Sequence, residues 1–477
     1  MENILFDSIE KNRSIFNGFF PSETSADIIK NSLYIGERQA SIYHINGMLD
    51  TESMQKIQTN LLSVTRESLK GCASIEEFAQ RHVPLTDYKA ENKIDKLVCA
   101  ILSAQSVLII DGFGKALILD TKKYPSRSIE EPEKNKTMRG PRDGFSESIL
   151  DNTSLIRRRI KTPSLCFEAF EIGNETKTRI MLGYMKDKAD KSCLDMIRKR
   201  LSEMKLNSLT LTQQTLSEEL FGINKARRLN PFPKVRFIER PDTAASMLVE
   251  GKIMILCDTT PTAIFVPITV YDFIEETDDY YFPPLTGSYL RIIRITISLI
   301  SIFLSPVWLL LTKGDIPLPD SLVFVTQMPD CSVPVWIQLL MIEITVDALK
   351  IASLNTPNTI ANSLGVVSGL LLGDFAIQSG WFVPQAILYS SICAIANYIP
   401  TNYEIGYCYK FWRMSMIVFV QLLGLSGLII NVILFTTILA LNRTVDRRSY
   451  LFPFFPISKN GFKKFFIRTN HGKENNK

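Results

Sequence analysis

Histidine is scarce in this sequence, and no histidine stands in a pattern that supports catalysis or metal binding. The three histidines, His44, His82 and His471, belong to no H-E-x-x-H motif and have no G-x-S-x-G motif beside them. The eight cysteines form no C-x-x-C pair. Because they lie in apolar runs, we expect small buried hydrophobic residues rather than disulfides or metal ligands. The sequence therefore predicts no enzyme, no metal site and no cofactor.

A large excess of charge is also missing. The chain has 54 basic and 49 acidic residues, and a formal net charge of +5 gives no reason to expect nucleic acid as a partner. The N-terminal residues, MENILFDSIEKNRS, are polar and acidic and lack a long apolar run, so they do not resemble a signal peptide. We therefore expect the N-terminal half to remain in the cytoplasm.

The chain before residue 290 has the short runs and turns of a water-soluble α/β protein with two similar parts. The segments VLIIDGFGKALILD (107–120) and IMILCDTTPTAIFVP (253–267) both predict hairpins. Each hairpin ends a unit of two strands, helices and two further strands, so we interpret the units as related subdomains. The patterns also predict strands at 28–35, 39–45, 164–171, 178–185 and 235–239, and helices at 51–62, 92–104, 146–160, 188–203 and from Pro241 onward.

These patterns predict the domain organisation of the soluble half. We expect a flexible lead-in at 1–25, a first α/β subdomain at 26–123, a linker at 124–144, a second α/β subdomain at 145–270 and a juxtamembrane linker at 271–289. In the last of these segments we expect the acidic residues to lie in water. Tyr280, Tyr281 and Phe282 are expected at the membrane interface, where aromatic rings with a polar edge are stable.

The segment Leu290–Thr312 is the first apolar run that is long enough to cross a bilayer. It carries no charge after Arg294, and about 20 residues at ~1.5 Å each match a hydrocarbon core of ~30 Å. A buried helix of a soluble protein is the alternative, but several more apolar runs follow. Arg291 and Arg294 predict that the N-terminal end of this span faces the cytoplasm. The predicted fold is therefore an α/β (α+β) cytoplasmic region of two similar subdomains followed by an all-α polytopic membrane domain at 290–441.

Three further spans are predicted, at 360–379, 383–400 and 414–441, and the last is long enough to require a tilt or a bend at Gly424 or Gly427. The tail at 442–477 is basic, so we expect it in the cytoplasm, which agrees with an even number of spans. The same arrangement places Lys410 and Arg413 on the outer side, in conflict with the rule that basic residues stay inside.

A helix at 335–354 carries Glu343, Asp347 and Lys350 on one face. Because ionised groups that face lipid are costly, this helix lies at the interface or turns its charged face toward a wet interior. Glu343 and Asp347 are therefore candidates for an ion path. The alternative, which the sequence leaves open, is a surface helix with solvated Asp347 and Lys350.

Glycines recur at every fourth position in the segment 360–379, as Gly365, Gly369 and Gly373. Such a stripe lets helices approach closely in lipid, so helix packing is the favoured interpretation. In a ring of subunits the same stripe would leave space for a water-filled pore, which is the alternative.

Three motifs resemble the A subunit of the GerA-type spore germination receptors. They are MRGPRDGFSESILDNTSLIRRRIK (138–161), FIERPD (237–242) with the hairpin that follows, and DDYYFPPLTGSYLRIIR (278–294) with the segments LLMIEITVDALK and SLGVVSGLLLGDFAIQSG. The resemblance extends from about residue 25 to about residue 455. The positions that carry the first two motifs are Arg139, Gly140, Pro141, Arg142, Gly144, Phe145, Glu147, Asn152, Arg157, Arg158, Arg159, Glu239, Arg240, Pro241 and Asp242. Without the resemblance, the three consecutive arginines would be interpreted as a solvated helix face or a phosphate-binding cluster.

The resemblance implies a subunit of the spore inner membrane with its α/β region on the spore-core side. It implies a transporter-like B subunit and a lipoprotein C subunit as partners, besides membrane lipid and further copies of the same chain. It also implies a nutrient-gated ring for monovalent cations whose path is bordered by the glycine-rich helix, with Asn362, Val366, Gly369 and Gly373 as candidate lining residues. Glu343 and Asp347 remain candidates from the charged face of the helix at 335–354. The alternative function is a membrane-anchored scaffold or signalling subunit without a pore. Neither the germinant nor the number of subunits follows from the sequence.

Overall fold

The structure is a computed structural model that describes the chain except for residues 1–2, 86, 125–138, 209–211, 222–229, 277, 315–316, 358–364, 368, 370, 400–401, 447, 453, 455–464 and 468–477. It divides into two compact units. We name Met1–Gly222 with Val235–Pro267 the N-terminal unit, and Ile223–Lys234 with Ile268–Lys477 the helical unit. The backbone therefore passes from one unit to the other three times.

The N-terminal unit contains two five-stranded antiparallel sheets with the same strand order. The strands of the first sheet are β1 (Ile28–Ile35), β2 (Arg38–Ile45), β3 (Tyr88–Glu91), β4 (Ser106–Ile110) and β5 (Ala116–Leu119), and those of the second are β6 (Leu165–Ile172), β7 (Thr178–Met185), β8 (Arg236–Ile238), β9 (Ile253–Cys257) and β10 (Ala263–Val266). The orders are β1-β2-β4-β5-β3 and β6-β7-β9-β10-β8. Each sheet thus joins two hairpins and adds its third strand at the far edge, which confirms the prediction of two similar α/β subdomains.

Helices cover both faces of the first sheet. The helices of the N-terminal unit are α1 (Ile9–Phe19), α2 (Thr51–Leu62), α3 (Arg66–Lys70), α4 (Ile75–His82), α5 (Ile94–Leu102), α6 (Ile149–Arg159), α7 (Lys191–Glu203), α8 (Thr212–Phe221) and α9 (Pro241–Val249). Alternate residues of a strand point to opposite faces, so Leu108 packs in one cluster with Ile57, and Val107 packs in another with Phe16. This double burial explains why strand β4 is buried throughout and apolar from Val107 to Ile110 instead of alternating.

Residues 9–19 form helix α1, so the expectation of a flexible lead-in is wrong for this stretch. The ring of Phe16 is fully buried and stacks on Tyr43, with 4.9 Å between the ring centroids. The buried positions are Ile9, Asn12 and Phe16, one per turn. Because one of these positions is polar, the apolar content of the segment is too low to reveal the helix.

Helix α1 is the counterpart of α6. The Ile9 N–H donates to Asp111 Oδ1 at 3.0 Å, and the Ile149 N–H donates to Asp258 Oδ1 at 3.2 Å. In both subdomains the aspartate directly follows the strand that starts the second hairpin, and its carboxylate faces the positive end of a helix dipole. The repeated unit therefore starts earlier than the predicted boundary at residue 26.

The helical unit contains every long apolar helix of the described chain. Its elements are α10 (Val270–Ile274), α11 (Asp278–Tyr281), α12 (Pro284–Thr312), a 3₁₀ segment (Asp320–Val325), α13 (Val335–Leu354), a π-helical turn (Leu371–Phe375), α14 (Ala376–Gln378), α15 (Pro384–Ala396) and α16 (Tyr403–Leu441). Among the described residues two helices are long and apolar enough to cross a membrane, α12 with 29 residues and α16 with 39.

These helices agree only in part with the predicted spans. Helix α12 contains the predicted span 290–312, and α13 has the predicted bounds of the amphipathic helix. Helix α15 has 13 residues, about 20 Å at ~1.5 Å per residue, so it is shorter than the predicted span 383–400. Part of the predicted span 360–379 lies outside the described residues, so the number of spans stays a prediction.

Helix α16 is interrupted at Gly424, one of the two glycines at which a bend was expected. Its backbone has φ 60° and ψ −135°, a conformation outside the helical region that favours glycine. Helix α16 also begins at Tyr403, before the predicted start at residue 414, so Lys410 and Arg413 belong to this helix.

Residues 230–234 precede β8 in the chain but belong to the helical unit. The ring of Phe232 is buried, with its centroid 5.8 Å from Phe435 and 6.1 Å from Tyr450. The Tyr450 hydroxyl donates to the carbonyl oxygen of Pro233 at 2.8 Å. An aromatic side chain between α8 and β8 is thereby fixed within the helical unit.

Candidate functional site

Helices α13 and α16 face each other through a row of charged and aromatic side chains, which we name the polar ladder: Glu343, Asp347 and Lys350 of α13 with Tyr403, Tyr407, Lys410 and Arg413 of α16. The spacing of three or four residues places the members of each helix on one face. From the sequence we predict the α13 half of the ladder, but not its partners on α16.

The ladder contains a buried bidentate ion pair. Arg413 Nε lies 2.7 Å from Glu343 Oε1, and its second terminal nitrogen lies 2.9 Å from Oε2. Both side chains are buried. The guanidinium also donates to the carbonyl oxygen of Ser301, and to the Ser301 hydroxyl at 3.0 Å. Since Ser301 belongs to α12, this ion pair connects three helices.

Lys410 bridges the two carboxylates of α13. Its ammonium lies 2.7 Å from Asp347 Oδ2 and 3.3 Å from Glu343 Oε2, and it donates to the Glu343 carbonyl oxygen at 2.7 Å. Lys410 and Glu343 are buried, whereas Asp347 is about one-third exposed. The Lys410 ammonium therefore lies between the buried carboxylate of Glu343 and the partly exposed carboxylate of Asp347.

The open end of the ladder is aromatic. The Lys350 ammonium lies 5.0, 4.9 and 5.0 Å from the ring centroids of Tyr398, Tyr403 and Tyr407. A pocket beside it is lined by side chains from both ends of the ladder, including Glu343, Asp347 and Lys410. The charged positions predicted on α13 therefore all line the same pocket. Lys410 and Arg413 of α16 are their ion-pair partners.

This arrangement can hold charge inside an apolar helical unit. A single ionised group that faces lipid costs about 2.5–3.5 kcal/mol or more, and pairing removes most of that penalty. The carboxylates of Glu343 and Asp347 could assist a cation only if Lys410 and Arg413 moved away from them. Among the described residues no group of three or more His, Cys, Asp or Glu side chains could hold a metal ion.

The glycine stripe lies at an unfilled surface of the single chain. A Cβ atom built on Gly365, Gly369 or Gly373 would meet no other heavy atom within 4 Å. Val366 is exposed. Asn362 lies outside the described residues. Neither the packing interpretation nor the pore interpretation is tested by a single chain.

A second ion-pair network lies at the start of α12. The fully buried Asp279 accepts hydrogen bonds from Arg291 and Arg294, with oxygen–nitrogen distances of 3.1–3.2 Å. Arg291 also contacts Glu275 at 3.1 Å. Burial raises the pKa of the Tyr271 hydroxyl, and the nearby carboxylate of Glu275 adds to this shift. The expectation that the acidic residues of this segment lie in water is therefore wrong for Asp279, because two guanidinium groups replace its hydration.

The motif at 138–161 is mainly structural in the described chain. Arg157 is buried and forms a bidentate ion pair with the buried Asp27, at 2.7 and 3.1 Å. It also donates to the carbonyl oxygens of Thr162 and Leu165. This arginine therefore joins the two subdomains instead of binding phosphate.

The other motif positions divide into buried and exposed groups. Phe145 and Asn152 are buried, and the Phe145 N–H donates to the Glu239 carbonyl oxygen at 2.8 Å. Arg240 is buried and ion-paired with Asp242 at 2.6 Å, directly beside Pro241, which starts α9. Gly144 is also buried. Arg159 pairs with Asp143, and Arg158 stacks over the ring of Tyr124. The remaining motif positions are exposed: Arg139, Gly140, Pro141, Arg142 and Glu147.

Comparisons with known proteins agree with the motifs. The profile of the family described as Bacillus/Clostridium GerA spore germination protein matches residues 17–477. The chain is 29% identical to stage V sporulation protein AF of Bacillus subtilis (strain 168), over 96% of this chain and 92% of that protein. It is 30% identical to spore germination protein A1 of the same organism, over 91% of this chain and 88% of that protein.

Similarity also extends to a solved structure. It is the crystal structure of the N-terminal domain of the A subunit of the Bacillus megaterium spore germinant receptor GerK3. The two chains are 26% identical, with a TM-score of 0.42, and the match covers 55% of this chain and 96% of the other. Since the family profile covers nearly the whole sequence, the chain belongs to the GerA family of Bacillus and Clostridium spore germination proteins.

Proposed function

We propose that this protein is a membrane subunit of a nutrient-germinant receptor that triggers spore germination, and that several copies form a nutrient-gated channel for monovalent cations. The observation that carries this proposal is the polar ladder, in which buried charges lie within a unit of apolar helices. Ionisable groups within membrane segments commonly line ion paths, and here they come from facing helices. Membership of a family of spore germination proteins supports the physiological role.

The proposed setting is the spore inner membrane, with the N-terminal unit on the spore-core side. The partners would be a transporter-like B subunit, a lipoprotein C subunit and further copies of this chain. The open space beside Gly365, Gly369 and Gly373 supports self-association, because a surface without side chains lets another helix approach closely.

In this proposal the ion pair of Glu343 and Arg413 stabilises the closed state. The pair holds α13 against α16, and its carboxylate is unavailable to a passing cation as long as the pair persists. Nutrient binding by the complex would separate the pair and uncover the carboxylates. Loss of a partner in a buried pair costs about 3–5 kcal/mol, which is enough to change the ratio of closed to open states by more than tenfold.

The test is cation flux from liposomes that contain the full chain with its B and C subunits. The wild-type complex is expected to release K⁺ and Na⁺ only when nutrient is added. Glu343→Gln is expected to raise the flux without nutrient at least about tenfold, because one charge of the closing pair is lost. Asp320→Asn, at an exposed position of the 3₁₀ segment, removes the same charge and should leave the flux unchanged. A wild-type complex that never conducts would contradict the channel.

The second candidate function is a scaffold or signalling subunit without a pore. It is favoured by the complete pairing of Glu343, which can be explained by helix packing alone. Flux through the wild-type complex, compared with Gly369→Leu, separates the two functions. In a channel the wild-type flux should be lost together with assembly in Gly369→Leu, whereas a scaffold should lose assembly in this variant and show no flux of its own even as the wild-type complex.

A further inference from the structure

Lys350 is held in an unusual way for a charged side chain at the end of a helix. Three tyrosine rings surround its ammonium, all with centroids about 5 Å away. These distances lie within the ~6 Å limit for attraction between a cation and an aromatic face. Tyr403 and Tyr407 are one helical turn apart on α16, and Tyr398 follows α15, so two separate parts of the chain build the cage.

The balance of charges in the polar ladder explains why Lys350 contacts aromatic rings and forms no ion pair within the described part of the chain. The ladder has two carboxylates, Glu343 and Asp347, and three cations, Lys350, Lys410 and Arg413. Arg413 and Lys410 occupy both carboxylates at 2.7 Å. Among the described residues no carboxylate oxygen lies within 4.0 Å of the Lys350 ammonium. Lys350 is therefore the surplus cation, and the ring faces are its counterpart.

The cage is accessible. Tyr398, Tyr403 and Tyr407 are 55%, 43% and 37% exposed, so the site opens at the surface of the helical unit. The pocket beside it is also lined by Asn397 and Asp347. The Asn397 side-chain oxygen accepts from the Ser301 hydroxyl at 2.7 Å and the Asp347 carboxylate is paired with Lys410, so the three rings supply the contacts of the site. A free cation could therefore enter if the lysine ammonium moved away, and the flexible stem of a lysine permits such a movement.

We propose that Tyr398, Tyr403 and Tyr407 form a binding site for a small monovalent cation, and that Lys350 occupies this site as a tethered competitor. Movement of Lys350 out of the cage withdraws its ammonium from the three rings and removes one positive charge from the ladder at the same time. Both changes favour entry of a mobile cation. The binding site does not require the channel, but the role of Lys350 as a plug for passing cations rests on the proposed function.

The binding experiment uses the full-length Lys350→Ala variant in detergent and the probe n-propylammonium chloride. This cation has the same atoms as the part of the side chain that the substitution removes. The thermal midpoint of the variant should rise with probe concentration, by more than with sodium chloride at equal ionic strength and more than with uncharged 1-butanol. The wild-type protein should show no such rise, because its cage is filled.

Substitutions of the rings distinguish the cage from a site elsewhere. In the Lys350→Ala background, Tyr407→Leu should weaken propylammonium binding about 2- to 30-fold, whereas Tyr407→Phe, which keeps the ring face, should retain it. Equal shifts in the wild-type protein and in Lys350→Ala, or a Tyr407→Leu variant that folds and binds as well as Tyr407→Phe, would overturn the proposal.

The role as a plug has a separate readout. If the wild-type complex conducts with nutrient, Lys350→Ala should conduct K⁺ without nutrient, and Lys350→Arg should remain closed. A wild-type complex that conducts together with a closed Lys350→Ala complex would refute the plug and leave the channel intact. Probe binding by Lys350→Ala in a protein that never conducts would instead refute the channel and leave the cation site intact.

Discussion

Asn12 and Asn152 make the same pair of hydrogen bonds in the two halves of the N-terminal unit. The Asn12 side chain accepts from the Phe6 N–H at 2.9 Å and donates to the Phe6 carbonyl oxygen at 2.6 Å. The Asn152 side chain does the same with the backbone of Ser146, at 2.8 and 2.6 Å. Each asparagine thus clamps the loop that leads into its helix. The asparagine of the family motif is a repeated structural feature rather than a contact for a ligand.

Because both asparagines are buried and satisfied, Asn12→Ala and Asn152→Ala should each destabilise the protein by about 1–3 kcal/mol. The loss comes from the backbone groups that remain buried without a partner. The measurement is the thermal midpoint of the full chain, with Asn60→Ala, at an exposed position of α2, as the matched control. A shift no larger than that of the control would show that the clamps carry no stability.

The ion pair of Asp27 and Arg157 should be the most sensitive contact between the two subdomains. Asp27→Ala leaves a buried guanidinium without its carboxylate partner, and we expect a loss of about 3–5 kcal/mol. Arg158→Ala, one position along at an exposed site, should cost less than about 1 kcal/mol. Chemical denaturation of the three proteins measures the difference. The double variant Asp27→Leu, Arg157→Met should recover part of the loss, because no charge remains buried.

Tyr43 supplies a test of pH dependence. Burial raises the pKa of its hydroxyl to about 12, although the nearby Arg13 guanidinium acts in the opposite direction. The unfolded chain ionises this group near its ordinary pKa of about 10, so the unfolded state binds fewer protons between those values and stability falls as the pH rises. The hydroxyl also finds no hydrogen-bond partner among the described residues.

We therefore expect Tyr43→Phe to be neutral or to stabilise the protein at neutral pH, by up to about 1–3 kcal/mol. The difference in stability between the variant and the wild-type protein should grow as the pH rises from about 10 to 12. Thermal midpoints across this range provide the measurement. A variant that is less stable at neutral pH and shows the same alkaline loss would contradict the buried, unsatisfied hydroxyl.

Asp279 should be essential for the start of α12. Its carboxylate is fully buried between Arg291 and Arg294, so Asp279→Ala should cost about 3–5 kcal/mol and reduce the yield of folded protein after extraction. Asp320→Ala, at an exposed position, is the control. Monodispersity in size-exclusion chromatography and the thermal midpoint measure the effect. Equal monodispersity and equal thermal midpoints of the two variants would show that Asp279 does not stabilise the start of α12.

Local patterns predict every strand of the two sheets except β3, because most strands contain the required information in their own residues. Strand β3, with the sequence YKAE, has only four residues and no apolar run, so the pattern does not reveal it. The run Ile28–Ile35, the turn at Gly36 and the following apolar run define β1 and β2 without any distant residue. Helix α1 was missed for the opposite reason. Its burial depends on Tyr43 and on Asp111, which are distant in the sequence, and one of its own buried positions is an asparagine.

The candidate site was predictable only on one side. The spacing of Glu343, Asp347 and Lys350 identified a charged helix face, but the nature of that face depends on what covers it. From the sequence, Lys410 and Arg413 are expected on the outer side of the membrane, in conflict with the rule that basic residues stay inside. That rule considers the position of a charge along the chain and takes no account of ion pairs. The i, i+3 spacing of Lys410 and Arg413 on an apolar helix, opposite two carboxylates, was the available sign.

The burial of Phe232 within the helical unit affects where the chain can be truncated. A polypeptide cut after Pro267 keeps that ring but loses Phe435 and Tyr450, which bury it. The uncovered ring, with the prolines on either side of it, would then be an exposed apolar surface on this fragment and would favour its aggregation. A polar replacement at position 232 is accordingly the first change to make in any soluble fragment intended for solution work.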